Sequence, residues 1–290
     1  MPKVTKTRST SSRNNPVDKS KQSIGGRKQT RAASKIPAGE VTVPTEPISE
    51  VRTPKPTDAP EDTADNYLLL VRLTSSDDPT ITRLLSVPST YSFLQLHKII
   101  QIAFGWAGCH AFHFTGRRTA EGELDVDKGW FPRGKEVLSL QMTKDQVEIM
   151  SDVFNDPDVD VKACADCTLK DAYENEKYES LEMEYEYDHG DSWIHEIIFL
   201  GKELKNVRKA MAIPPQLKVV CMAGEGHPCA EDCGGEPGWE DLKRVFKGRK
   251  ADSRKNWYKT SCANGDPKGL DPYRWDMMEV NHALSELFST

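Results

Sequence analysis

The reactive residue types of this chain gather between Asp188 and His195, where Asp188-His189-Gly190-Asp191-Ser192-Trp193-Ile194-His195 sets two carboxylates and two imidazoles close together. Oxygen and nitrogen donors in that mixture can hold a divalent cation, and a held cation can activate water. A second group lies downstream. Cys221, His227, Cys229 and Cys233 are zinc-ligand types on a Gly-rich stretch, with Glu231-Asp232 just before the last cysteine. Their spacing matches no common zinc finger, and a tight loop with small buried thiols is the competing account. His110 offers another imidazole, but His113, three residues on, would face the opposite side of a strand, so the two cannot easily share a metal. Cys164-x-x-Cys167 alone is half a zinc knuckle at most.

Recognisable elements must position these groups. Met183, Tyr185 and Tyr187 alternate with acids, and Trp193, Ile194 and Ile197–Leu200 follow the Gly-containing break, which predicts a hairpin over 183–200. Strands are expected at Tyr67–Leu73, Ile81–Val87 and Val137–Gln141, with a turn into a further strand at 106–114. Phe93, Leu96, Ile99, Ile100, Ala103 and Phe104 recur at helical spacing behind Ser92, a helix that stops at Gly105. Polar loops are expected at 116–135 and through Asp152–Asp160, a short helix over Leu169–Tyr173, a helix near Glu240–Phe246, and a closing amphipathic helix with Met277, Val280, Leu284 and Leu287. The fold class is therefore α+β: a single domain with a mostly antiparallel or mixed sheet and packed helices. The loops Asp188–His195 and Cys221–Gly238 are expected to converge on one surface, the strand near Cys221 pairing beside the hairpin.

Charge divides the chain. Residues 1–35 carry ten Lys/Arg against Asp18 alone, whereas the whole protein has a net charge of −6, so a basic arm precedes an acidic body. Residues 1–62 lack the large apolar side chains that offset chain entropy, which predicts a disordered arm and linker before a domain at 63–290. Arg27-Lys28-Gln29-Thr30-Arg31 suits nuclear import or a nucleic-acid contact, but a solvated tail is the favoured reading because short basic clusters are common in disordered arms. No apolar run is long enough to span a bilayer, and the first residues lack a signal-peptide core. Seven cysteines, an odd number, argue for a reducing compartment rather than a disulfide framework. The expectation is an intracellular protein, cytoplasmic or nuclear, without a membrane partner.

The chain resembles the plasmid pRiA4b ORF-3-like domain family over about residues 66–288. The resemblance is carried by Leu96-His97-x-x-Ile100-Gln101-x-Ala103-Phe104-Gly105-Trp106 with His110, by Tyr185-x-Tyr187-Asp188-x-Gly190-Asp191-Ser192-Trp193-x-His195, by Cys221 with Glu231-Asp232-Cys233-Gly234-Gly235, and by Asp271-Pro272 with Asp276 and Asn281. It implies an α+β domain without an established biochemical activity, some members of which lie beside mobile-element genes. Three readings follow for the site. In the first, Trp106, Tyr187, Trp193, Trp239, Asp188 and Asp191 line an acidic-aromatic groove of a binding or scaffold module, its partner a protein or nucleic acid reached through the basic arm. In the second, Asp188, Asp191, His195 and Glu231-Asp232 hold zinc or another divalent cation in a hydrolase or nuclease. In the third, Asp188 and Asp191 cap turns, Trp193 fills the core and His195 makes a strand-face hydrogen bond. No Ser-His-Asp arrangement, phosphate loop or dinucleotide fingerprint is visible to add another enzyme class.

Overall fold

Residues 65–118 and 134–287 are described in the computed structural model, all within the unit Ala59–Thr290. The expected arm at 1–62, its basic cluster, and most of the polar excursion at 116–135 lie outside the described residues.

Period-two patterning produces β1, Asn66–Leu73, in which Tyr67, Leu69, Val71 and Leu73 are buried while Arg72 on the other face is exposed. It pairs with β2, Thr82–Pro88. Helix α1, Phe93–Phe104, begins at a capping box between Ser92 and Gln95 and ends at Gly105, whose φ of 64° is left-handed. Its apolar stripe covers the inner face of the sheet. Then come β3, Phe112–Arg118, β4, Lys135–Gln141, α2, Lys144–Phe154, and β5, Asp160–Ala163. Helix α3, Leu169–Tyr173, precedes the hairpin of β6, Leu181–Tyr187, and β7, Trp193–Lys202. The chain closes with α4, Val207–Ala210, β8, Val220–Glu225, α5, Gly235–Lys247, α6, Ser253–Thr260, and α7, Met277–Leu287.

These strands form one mixed sheet in the order β5-β4-β3-β6-β7-β1-β2-β8, parallel between β4 and β5 and antiparallel elsewhere. The α+β expectation holds, and the hairpin is central, with two or more strands on each side. Two expectations change. The acidic loop through Asp152–Asp160 is partly helical, because a capping box of Thr143 and Gln146 starts α2 and carries it to Phe154. The strand near Cys221 does not pair beside the hairpin: β8 pairs with β2 at the sheet edge, and β1 and β2 separate it from β7. Among the described residues, no helix is long and apolar enough to cross a membrane.

Candidate functional site: a histidine between two aspartates

The hairpin turns immediately after its last rung, Tyr187 with Trp193. Asp188 and Ser192 take left-handed φ values of 57° and 54°, and Ser192 N–H donates to the Asp188 carbonyl at 2.5 Å. Asp188 N–H is held by the Ala111 carbonyl, and its Oδ1 accepts from Gly190 N–H at 2.9 Å. This Asx turn leaves Oδ2 turned toward His110, 3.7 Å from Nε2. Asp191 points elsewhere. Its Oδ2 accepts from Gly234 N–H at 3.1 Å, tying the hairpin loop to the Gly-rich loop. Gly235 fits against the Asp191 carbonyl only because it lacks Cβ, which would stand 2.5 Å from that oxygen, and its φ of +66° is left-handed. The two loops therefore meet, as their composition suggests, although β8 is far from β7 in the sheet.

Glu231 and Asp232 have opposite environments. Glu231 is buried, with Oε1 accepting from the Tyr187 hydroxyl at 2.6 Å and Oε2 from Ala107 N–H at 2.8 Å. Its own N–H donates to Asn264 Oδ1 at 3.1 Å. Asp232, at φ 61°, swings outward, and its side chain is 62% exposed. Its Oδ1 lies 3.0 Å from His110 Nε2. The imidazole thus stands between carboxylates from two loops, yet Nε2 makes no hydrogen bond of good geometry to either. The ligand atoms of His110, Asp188 and Asp232 all lie within 4.8 Å of one another, as do those of Cys109, His110 and Glu231. Cys109 enters through its place beside His110, the one sign of it in the sequence. Asn264, whose Nδ2 also donates to the Cys229 carbonyl at 2.6 Å, gives no such sign. Donors to these acids come from Gly190 N–H for Asp188, Gly234 N–H for Asp191, and Ala107 N–H and the Tyr187 hydroxyl for Glu231.

The remaining expected residues stand apart from this cluster. His195 is fully buried in mid-strand, opposite Tyr185 and Leu73, with Nδ1 against the Trp193 carbonyl at 3.1 Å. Burial pushes its pKa down to about 3, so it is a neutral core histidine. The aromatic wall is also interior: Tyr187, Trp106, Trp193 and Trp239 are all buried, and Trp106 stacks on Tyr187 at 5.1 Å. Tyr187 and Trp193 take inward strand positions, Trp106 follows α1 and Trp239 lies in α5, so these rings are packed inside, with the edge of contact at Tyr187 against the His110 ring. Cys221, His227, Cys229 and Cys233 do not bring their ligand atoms together among the described residues. Cys221 Sγ contacts the Ala223 carbonyl, His227 Nε2 pairs with the Tyr258 hydroxyl at 2.9 Å, and Cys233 Sγ contacts the Gly235 carbonyl. Burial raises the Cys221 and Cys233 thiols to about 11 and 12 and pushes Cys229 well up, so without a bound cation all three are protonated.

Comparison with known proteins agrees with the fold. No curated protein matches the chain significantly. A crystal structure of a protein of unknown function from Methanosarcina mazei Go1 superposes with a TM-score of 0.50 at 21% identity, covering 74% of this chain and 97% of that one. The family model described as plasmid pRiA4b ORF-3-like protein matches residues 65–281, the stretch that holds every strand among the described residues and both site loops. The chain belongs to the plasmid pRiA4b ORF-3-like protein family.

Proposed function

We propose that this domain is a binding module whose contact point is a divalent-cation site made by His110, Asp188 and Asp232, with zinc the ion that suits it best. One observation carries the reading: His110 Nε2 lies 3.0 and 3.7 Å from the two aspartate oxygens without hydrogen-bond geometry to either. Zinc bonds of 2.0–2.1 Å to imidazole nitrogen and carboxylate oxygen place tetrahedral ligands roughly 3.3 Å apart, between those two distances. One imidazole with two carboxylates is a donor set zinc accepts, whereas calcium and magnesium prefer oxygen alone.

Thermal melts with added Zn²⁺ test this, beside the His110→Ala and Asp232→Asn variants. At one hundred times its Kd the ion stabilises the folded chain by about 2.7 kcal/mol, a rise in Tm of roughly 5–11 °C for a domain this size. Both variants should lose that rise. A melt that ignores zinc and chelator alike refutes the site. The exposed Asp232 side favours a second reading, a metal-dependent hydrolase or nuclease, because catalytic zinc keeps one position open for water. Zinc-dependent cleavage of an activated phosphodiester, abolished in His110→Ala, would favour the hydrolase over the binding module.

A further inference from the structure

The hairpin that carries the cation cluster at its turn comes apart at its other end, roughly 20 Å away along β6. Rungs join β6 and β7 from Tyr187–Trp193 to Met183–Ile197, and there they stop, although β6 begins at Leu181 and β7 runs on to Lys202 beside β1. The missing rung is Leu181 with Phe199. Ile194 turns its carbonyl toward β1's end, accepting from Thr74 N–H. By strand alternation Phe199 then turns its N–H and C=O the other way, toward β6. The β6–β7 ladder has no rung at Phe199. A notch of about 870 Å³ occupies the gap.

Its lining is acidic. Glu174, Glu176, Glu179, Glu182 and Glu196 border it, and no Lys or Arg does. Lys202 and Arg72 reach Glu174 and Glu196 from outside, at 2.9 and 2.5 Å. Glu176 and Glu179 are exposed and pair with no described residue. The apolar floor is Phe199 stacked on Tyr173 at 4.5 Å, and the buried Tyr173 hydroxyl lacks a hydrogen-bond partner.

We propose that this notch docks an extended, Lys/Arg-bearing peptide segment of a partner protein, which adds as a short strand beside β7. An open strand edge is a template for pairing, and main-chain bonds supply affinity while side-chain pockets supply selectivity. The peptide backbone takes the place of the missing rung at Phe199, and its basic side chains meet Glu176 and Glu179. The acidic rim rejects neutral and acidic strands, which also protects the edge from self-association.

The test uses the full chain and a fluorescein-labelled peptide of alternating Lys and Val, followed by fluorescence anisotropy. Saturable binding is expected below about 1 mM, an affinity typical of weak, transient recognition. The Glu176→Lys/Glu179→Lys double variant should weaken it at least tenfold without changing the melt, because both side chains are exposed. Methylating alternate peptide N–H groups, which leaves every charge in place, should abolish binding. Equal affinity of the methylated peptide would show charge attraction alone and overturn strand addition. Unchanged affinity in the double variant, or no saturation by 1 mM, would overturn the docking site itself. None of these outcomes depends on zinc, so they leave the reading of the His110 cluster to its own experiment.

Discussion

Replacing Tyr187 by Phe removes a single oxygen from the centre of the molecule and asks whether Glu231 is anchored there. Tyr187 is fully buried and its ring stacks on Trp106. Phe keeps that ring and its packing, so the apolar contribution is unchanged to first order. What disappears is the 2.6 Å bond to Glu231 Oε1, leaving the carboxylate only the Ala107 N–H on Oε2. A hydrogen bond to a charged group contributes about 1.5–3 kcal/mol, and a buried acceptor left without its donor costs about as much. For a domain of this size each kilocalorie moves Tm by about 2–4 °C, so the expected fall is roughly 3–12 °C. Urea titration should show a lower midpoint at constant slope. The double variant Tyr187→Phe/Glu231→Ala should lose less than the sum of the singles, because each single change removes the one shared bond. A loss under about 0.5 kcal/mol, the range of ordinary surface changes, would refute the anchor.

Other consequences are directly measurable. Trp193→Ala should cost about 3–5 kcal/mol by urea titration, and a much smaller loss would contradict its burial. Gly235→Ala should destabilise by more than about 1 kcal/mol, since a left-handed φ and the Asp191 carbonyl both oppose a Cβ; an unchanged urea midpoint would show that the loops do not need their close approach. Burial holds His97, His195 and His227 at pKa values of about 4, 3 and 4, against 6.5 for an exposed imidazole. The unfolded chain therefore takes up protons that the folded one refuses. Stability is intact above pH 6.5 and falls as pH drops toward 4, by up to about 4 kcal/mol per pH unit if all three titrate together. Denaturation midpoints that agree at pH 7 and pH 5 would count against neutral burial.

Much of the frame is legible in the residues themselves. The α1 stripe, its Ser92 start and its Gly105 stop each follow from one local rule, and the alternation in β6 and β7 specifies which residues face inward. That same alternation places Trp193 and His195 inside, so the core-filling reading describes those two residues, while Asp188 and Asp191 stay at the turn beyond the strands. Aromatic and imidazole types suggest chemistry by identity, but strand parity decides where they point. Helix α2 is harder to see because none of its residues is fully buried, which blurs its apolar pattern. The four-residue β5 is short, and its parallel pairing with β4 depends on a crossover rather than on any local signal. The His110 cluster lies beyond pattern reading for a related reason: its members are 44 to 122 positions apart, with no shared period.

That separation has a physical consequence. Strand β8 lies three places from β7, about 14 Å across the sheet, so pairing does not bring its loop to the hairpin. Backbone anchors do. His227 N–H donates to the Pro272 carbonyl, Asn264 holds the Cys229 carbonyl and Glu231 N–H, and Gly234 N–H reaches Asp191. Each anchor joins segments distant in sequence, and Asp232 is delivered to His110 between the last two. Three candidate ligands then come from three segments: the run before β3, the hairpin turn and the loop after β8. None of them is near another in the unfolded chain, so a cation bound there would favour the folded state alone, and its binding energy would add to the stability of the whole domain. Loosening any anchor should consequently weaken the cation without touching a ligand. Asn264→Ala is the sharpest case, since Asn264 contacts the loop's backbone on both sides of Ala230 but none of His110, Asp188 or the Asp232 side chain. A variant that keeps its fold, as judged by its melt, yet binds zinc as tightly as the parent would show that the site does not depend on the loop's anchoring.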